Sequence, residues 1–207
     1  MKICLLRFVI SLILLSVITP LGKSIDSLKY KIALNYFSDL SDTYDGGDLF
    51  SCEFKLSKSW YGAQISFGYF HSYSVFKYQV FIDELNRSLI IPFDEISIMK
   101  TGSLSLIFIP IQNRIITTDV LLGLVLGGAK SSQFHDVEYS YSFIDNKFNY
   151  LYKNYELVEK IHFGYQVGFT VSFSITRKFG LQISSRIQDL SNGGTFFFVG
   201  GGLCFRL

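Results

Sequence analysis

The sequence predicts an all-β protein, an eight-stranded antiparallel up-and-down β-barrel. Two observations predict it: apolar and polar residues alternate in eight separate segments, and short and long spacers alternate between those segments. A period of two is the side-chain repeat of a strand that has one apolar and one polar face. After the first 20 residues there is no run of about 18 apolar residues that would predict a membrane-spanning helix.

Residues 1–24 are typical of a secretory signal peptide. Lys2 and Arg7 flank the start of an apolar block over residues 8–18, and Pro20 then supplies a helix break. The block is too short for a comfortable membrane-spanning helix of about 20 residues. We therefore expect residues 1–24 to be a cleaved signal peptide, with a retained anchor as the alternative, and residues 25–207 to form the barrel domain.

The composition excludes several classes of protein. With 49 % apolar residues and a net charge of +2, the chain is not expected to be disordered, and three cysteines in 207 residues do not make a disulfide scaffold. Without the three basic residues of 1–24, 16 basic and 17 acidic residues remain, a formal charge of −1. This balance gives no electrostatic reason to expect nucleic acid as a partner.

The first half of the chain supplies four strands. The third is the clearest, because Tyr61, Ile65 and Tyr69 share one face while Gly62 and Gln64 lie on the other. The pattern is weaker in the other three. The four strands are predicted at residues 28–37, 49–57, 61–70 and 101–109.

The second half supplies four more strands, and the sixth shows the pattern without a break. Large apolar or aromatic residues occupy every odd position from Ile161 to Phe173, and His, Gly, Gln, Thr or Ser occupies every even position. The four strands are predicted at residues 116–127, 161–173, 179–187 and 194–207.

The spacers predict which ends of the strands lie together. Short spacers at 58–60, 110–114 and 175–178 alternate with longer ones at 38–48, 71–100, 129–160 and 188–193. In an outer-membrane barrel the short turns are periplasmic and the long loops extracellular. Spacers of about 30 residues are improbable as bare loops. We therefore expect residues 75–82 and 88–98 to extend strands three and four as a protruding hairpin.

The two faces predict that the apolar side points outward into lipid. The polar face is rich in Gly, Ser, Thr and Gln, which suit the narrow interior of an eight-stranded barrel. A charge on the lipid face would cost about 2–4 kcal/mol at mid-depth. The ionisable residues expected in the lumen are Lys29, Lys31, Glu53, Lys55, Asp119, His162, Arg186 and Arg206. The aromatic residues expected to form girdles near the strand ends are Tyr30, Tyr36, Tyr61, Tyr69 and Phe179.

Two segments carry a resemblance to known outer-membrane proteins. Gly202, Phe205 and Leu207 lie in a stretch that resembles the terminal strand signal recognised by the barrel-assembly machinery, although the usual last residue is aromatic. Residues 163–192 resemble the last third of the small outer-membrane β-barrel domain common in Bacteroidetes. The matching features there are Gly164 and Gly168, the turn Thr176-Arg177, Arg186 and Leu190-Ser191-Asn192. Leu106-Ile107-Phe108-Ile109-Pro110 is similar to the apolar fourth strand of that family. The resemblance implies the barrel fold and an outer-membrane location, with diverse individual activities.

Residues suited to chemistry are few, and we predict no catalytic, cofactor-binding or metal-binding residue. His71-Ser72 is similar to the His/Ser pair of outer-membrane lipid A deacylases, but Tyr73 follows where that family has Asn, and we expect a solvated loop histidine. His162 is expected as a hydrogen-bonded luminal residue near Gln166. Asp45-Gly46-Gly47-Asp48 is expected to be a turn, since it has too few ligands for calcium.

The leading functional hypothesis is a monomeric, non-enzymatic integral protein of the cell outer membrane that presents its loops for adhesion or partner binding. The tyrosine-rich residues 139–143 and 150–152 suit a binding surface, although strand extension explains them equally well. The expected partners are outer-membrane lipid and the barrel-assembly machinery, with no cofactor. The alternatives are an outer-membrane lipid-modifying enzyme and a secreted soluble lipocalin-like barrel that binds a small apolar ligand.

Overall fold

The computed structural model contains a closed antiparallel barrel in which each strand pairs with the next and β8 pairs with β1. The strands are β1 (Lys29–Asp39), β2 (Gly47–Lys58), β3 (Tyr61–Ile82), β4 (Arg87–Gln112), β5 (Ile116–Ser142), β6 (Lys147–Ser174), β7 (Phe179–Leu190) and β8 (Gly194–Arg206). The structure describes residues 28–41, 46–82, 86–142, 144–145 and 147–207. The expected signal peptide, residues 1–24, lies outside them. The predicted fold class is confirmed.

The two ends of the barrel differ in the length of their strands. At one end, the short-turn end, two to four residues join β2 to β3, β4 to β5 and β6 to β7. At the other, the hairpin end, β3, β4, β5 and β6 continue far beyond the remaining strands, with lengths of 22 to 28 residues. The protruding extension of strands three and four is thus confirmed.

Both spacers of about 30 residues, 71–100 and 129–160, are strand over most of their length. At 129–160 the strand extension replaces the long loop that was its alternative. β3 and β4 pair without interruption from Tyr61 and Phe108 to Ile82 and Arg87. β5 and β6 pair along their whole length, with two register shifts, so the tyrosine-rich segments belong to a β-hairpin. In this hairpin the backbone N–H and C=O groups that face the other strand are paired, whereas a bare loop of 30 residues would leave them to water.

The side chains alternate between a buried interior and an exposed exterior, as the sequence predicts. Thr170 in β6 is 1 % exposed, whereas Ile161 and Phe163 on the opposite face are 83 % and 56 % exposed. Exterior aromatic side chains lie near both ends of the barrel, Tyr30 and Tyr61 towards the short turns and Tyr36 and Tyr69 towards the hairpins. Between these rows, the described exterior residues carry no charge.

Part of the lumen is apolar, whereas the alternation in the sequence predicts a polar interior. Phe37, Phe70, Phe196 and Phe198 point inward near the hairpin end and pack with aliphatic neighbours into a buried cluster. The Phe196 and Phe198 rings stack with their centroids 5.6 Å apart. This cluster closes the interior of the barrel below the hairpins.

The β2–β3 turn, the β7–β8 turn and the bulge in β4 contain residue types that favour these conformations. Ser59 and Asn192 adopt positive φ angles of 55° and 57° in the β2–β3 and β7–β8 turns. The register of β4 against β5 shifts between Phe108 and Ile111, and Pro110 lies within this irregularity. Proline has no N–H to donate to the ladder, so a bulge near a strand end is where a barrel tolerates it. No helix of the described segments is long and apolar enough to cross a bilayer.

The structure places Cys52 and Cys204 where they cannot form a disulfide. Both are free; Cys52 lies on the exterior face of β2, Cys204 is buried in β8, and β1 lies between the two strands. We expect both thiols to react with a maleimide after denaturation without reductant, as peptide mass spectrometry can show. A Cys52–Cys204 disulfide in the oxidised protein would contradict this strand register.

Candidate functional site

The middle of the lumen contains a chain of alternating charges contributed by three strands. Arg186 of β7 donates to Glu53 of β2, and Lys55 of β2 lies 3.4 Å from the same carboxylate. Lys55 Nζ also lies 3.1 Å from Asp119 Oδ2 of β5. All four residues are at most 5 % exposed. Because β2 neighbours neither β5 nor β7, the ion pairs join strands across the interior.

Neutral polar side chains fill the space around this charge network. Gln166 Nε2 donates to the Ser103 and Ser105 hydroxyls, both at 2.8 Å, and Gln182 Nε2 donates to Asn35 Oδ1 at 2.5 Å. These contacts again join strands that are not adjacent. The middle of the barrel is therefore a packed and hydrogen-bonded interior, consistent with the small volume that eight strands enclose.

The structure brings five of the eight expected luminal residues into the buried interior: Glu53, Lys55, Asp119, His162 and Arg186. Lys31 and Arg206 are half-buried, and Lys29 is exposed at the short-turn end. His162 hydrogen-bonds through Nδ1 to the Ser191 carbonyl oxygen at 2.8 Å. The sequence identified its luminal position, while its partner comes from the β7–β8 turn.

At the hairpin end, β3–β4 and β5–β6 separate into two hairpins, which we call hairpin A (residues 73–95) and hairpin B (residues 133–156). The β4–β5 pairing ends at Ile96 and Ser132, and beyond this point the hairpins are joined by side chains. The Phe93 ring of hairpin A is fully buried, and its centroid is 3.9 Å from that of Phe134 in hairpin B.

The two hairpins pack face to face through an aromatic cluster. Tyr78 and Phe93 continue the lumen-facing positions of β3 and β4, whereas Phe134 and Tyr155 continue the exterior-facing positions of β5 and β6. The Tyr78 and Phe134 centroids are 4.6 Å apart, and those of Phe93 and Tyr155 are 6.5 Å apart. Hairpin A thus covers the outer side of hairpin B. Aromatic pairs at such distances contribute about 0.5–1.5 kcal/mol each beyond their burial.

Polar contacts fix the same interface. Lys153 Nζ donates to the Pro92 carbonyl oxygen at 2.6 Å and lies 5.4 Å from the centroid of the Phe93 ring. Glu95 Oε1 accepts hydrogen bonds from the Tyr78 hydroxyl and the Phe134 backbone N–H. The hydrogen bond to Glu95 raises the pKa of the Tyr78 phenol above its ordinary value. The hairpins are therefore held together by polar as well as aromatic contacts.

The remaining face of hairpin B is an exposed tyrosine surface with carboxylates beside it. The Tyr150 and Tyr152 rings stack with centroids 5.2 Å apart and are 45 % and 61 % exposed. Glu138 is the cross-strand neighbour of Tyr152 and accepts a hydrogen bond from Asn154. Rigid, amphipathic tyrosine side chains backed by hydrogen-bonding groups are typical of protein-binding surfaces.

The remaining histidines and the residues weighed above for catalysis or calcium binding do not converge on one site. His71 and Ser72 lie within β3, not in a loop, and their side chains point to opposite faces, His71 exposed and Ser72 buried. His135 is exposed and lies 3.7 Å from Glu156. Asp48 accepts a hydrogen bond from the Tyr36 hydroxyl, while Asp45 lies outside the described residues. Within the described segments, no three His, Cys, Asp or Glu residues are grouped so that they could hold a metal ion.

Comparison with known proteins identifies the fold. No protein-family model matches the chain, and no curated protein matches its sequence. Among solved structures, Ail, the attachment invasion locus protein of Yersinia pestis, is similar with a TM-score of 0.53 and 15 % identity, over 88 % of this chain and all of that one.

Two further structures are similar to a comparable degree. A major outer membrane protein from Thermus thermophilus gives a TM-score of 0.55 at 9 % identity, over 87 % of this chain and all of that one. Neisserial surface protein A gives 0.51 at 10 % identity, over 88 % of this chain and all of that one. The chain therefore has the fold of the small eight-stranded outer-membrane β-barrels.

The charge network predicts a large effect of removing its central carboxylate. In Glu53→Gln, Arg186 loses its only ion pair in the described structure and Lys55 keeps only Asp119. Breaking a buried pair on one side costs about 3–5 kcal/mol, and we expect this loss in the urea-induced unfolding of the refolded barrel. The matched control is Glu159→Gln, whose exposed pair with Lys130 contributes less than about 1 kcal/mol. Equal losses in the two variants would show that the luminal pairs are not important for stability.

Proposed function

We propose that the chain is a non-enzymatic integral protein of the cell outer membrane, whose barrel crosses the bilayer and whose paired hairpins form a binding surface outside it. The observation that carries this proposal is the uncharged apolar exterior around an interior of paired charges. The exposed side chains of this band include Leu34, Phe67, Leu104, Leu124, Phe163 and Ile183. In water such a surface would drive aggregation, whereas in hydrocarbon it is the favoured one.

The hairpin end is proposed to face outward and the short-turn end to face the periplasm. Outer-membrane barrels place short turns on the periplasmic side and long segments on the outside. In β8, Phe205 faces the exterior and the strand closes the ring against β1, which supports the proposed recognition of this strand by the barrel-assembly machinery. The resemblance of residues 163–192 to the small barrel domain common in Bacteroidetes supports a relationship to that family.

A binding role is supported by the form of the hairpins. They present stacked, exposed Tyr150 and Tyr152 on a frame that is fixed by the buried Phe93 contacts. The Yersinia protein with the same fold is described as an attachment invasion protein, and we propose a related role in surface attachment here. A non-enzymatic role fits the placement of His71 and Ser72 on opposite faces of β3.

Membrane insertion is tested by two neighbouring positions of β6. In a background with Cys52 and Cys204 replaced by alanine, a bimane probe is attached to a cysteine at either position. The probe on Phe169→Cys should be quenched by a lipid-soluble quencher, because this position faces the exterior. The control, Thr170→Cys, should not, because Thr170 is buried in the lumen. Protection of position 169 from both lipid and aqueous quenchers, with water access at 170, would instead support a soluble barrel that binds a small apolar ligand.

The orientation is tested by labelling intact cells with a membrane-impermeant maleimide. In a background with Cys52 and Cys204 replaced by alanine, Tyr152→Cys in hairpin B should be labelled. The control Lys178→Cys, in the exposed turn between β6 and β7, should be labelled only after the cells are permeabilised. The reverse result would place the hairpins in the periplasm and contradict the proposed attachment role.

A further inference from the structure

Three cationic side chains lie side by side between the charge network in the middle of the lumen and the short-turn end. Lys31 of β1 is the direct cross-strand neighbour of Arg206 in β8 and of Lys55 in β2. All three occupy lumen-facing positions, and together they make a row of positive charge across three adjacent strands. Like charges directly opposite each other destabilise a sheet, so this row requires compensation by anions.

The chain supplies that compensation to only one of the three cations within the described structure. Lys55 has ion pairs with Glu53 and Asp119. Lys31 Nζ donates to the neutral Ser172 hydroxyl at 2.6 Å, and Lys31 has no ion pair with a described residue. The Arg206 guanidinium likewise forms no ion pair with the described part of the chain. Lys31 and Arg206 are therefore left without an ion-pair partner among the described residues.

These side chains line a cavity, which we call the vestibule, at the short-turn end of the barrel. Its volume is about 250 Å³, and its lining includes the side chains of Lys29, Lys31, Lys55 and Arg206. Asp119 is the acidic side chain among the described lining residues, and it is already paired with Lys55. Lys55 is 5 % exposed, so the vestibule has a buried cation as well as three more accessible ones.

We propose that the vestibule binds a phosphate group, held by Lys31 and Arg206 with Lys29 at the rim. A planar guanidinium matches the oxygens of phosphate with two parallel hydrogen bonds, and an ammonium group adds a mobile point charge. Binding relieves the repulsion between Lys31 and its two cross-strand neighbours. The phosphate comes either from a free anion or from the headgroup of a phospholipid, and these share the same recognition chemistry. The site is separate from the hairpin surface and does not depend on its proposed role.

The test compares the heat-induced gel-mobility shift of the purified barrel with and without inorganic phosphate, in neutral detergent at constant ionic strength. Phosphate should raise the midpoint temperature of the wild-type protein by about 2–4 °C. Lys31→Gln should abolish this rise and also raise the phosphate-free midpoint, because the substitution removes the central like charge. Lys31→Arg should retain the response. The matched control Lys178→Gln, at the same end but outside the vestibule lining, should respond as the wild type does.

A second arm distinguishes the two sources of phosphate. The same variants are compared in nanodiscs of phosphatidylglycerol and of phosphatidylcholine, without free phosphate. Stabilisation by phosphatidylglycerol that depends on residue 31 assigns the site to a lipid headgroup, whereas a response to inorganic phosphate alone assigns it to a free anion. No response to either probe would overturn the proposal and show that the chain's own carboxylates compensate the row. An equal response of Lys31→Gln and the wild type would also overturn it, as a general salt effect.

Discussion

The ladder between the first and last strands is the interaction on which the rest of the structure depends. Nine residue pairs, from Lys31 and Arg206 to Asp39 and Phe198, join β1 to β8 and leave the barrel below the hairpins without an edge. The close approach of these strands requires glycine, since a Cβ at Gly202 would lie 2.0 Å from the Leu34 carbonyl oxygen. Closure with eight strands also sets a narrow interior. The polar side chains that point inward must therefore find partners among themselves.

The lumen is filled by different side chains near the hairpins and in the middle of the barrel. Towards the hairpins, the phenylalanine cluster around Phe70 excludes water by close packing. In the middle, Glu53 lies between Arg186 and Lys55, so that each buried charge has an opposite neighbour. A buried carboxylate without such partners would cost several kcal/mol. Ion pairs across the lumen thus allow charged residues on a face that is enclosed on every side.

The sequence was most informative where one face of a strand is uniformly apolar. In β6, from Ile161 to Phe173, the exterior contacts a single environment, and the pattern correctly predicted the strand and its faces. The hairpins were harder to predict because packing on one face and solvent on the other remove the strict alternation, and the register shift at Phe134 interrupts it further. Phe196 and Phe198 lie on either side of exterior Phe197, so apolar residues occupy both faces there and the inward pair gave no signal.

The alternating pattern of a strand could not predict which luminal side chains contact each other, for a different reason. The contact of Lys55 with Asp119 spans 64 residues and joins strands that are not neighbours. Such pairs are set by the curvature and stagger of the whole ring. Five of the eight expected ionisable residues are buried in the lumen as the pattern predicted, but which cation lies beside which carboxylate depends on closure. For the same reason, the lack of an ion pair between Lys31 and any described residue becomes visible only when both of its neighbouring strands are in place.

The packing of hairpin A against hairpin B has a consequence for how fast a partner could bind. Loops that become ordered on contact lose conformational entropy at that moment, and this loss weakens the complex. Here the tyrosine surface is already held in one shape. The pairing of β5 with β6 and the packing of Phe93 against Phe134 fix it. A partner that meets this surface encounters a preorganised template. The association rate would then be limited by diffusion and by the orientation of the two surfaces, with no slow folding step after the encounter.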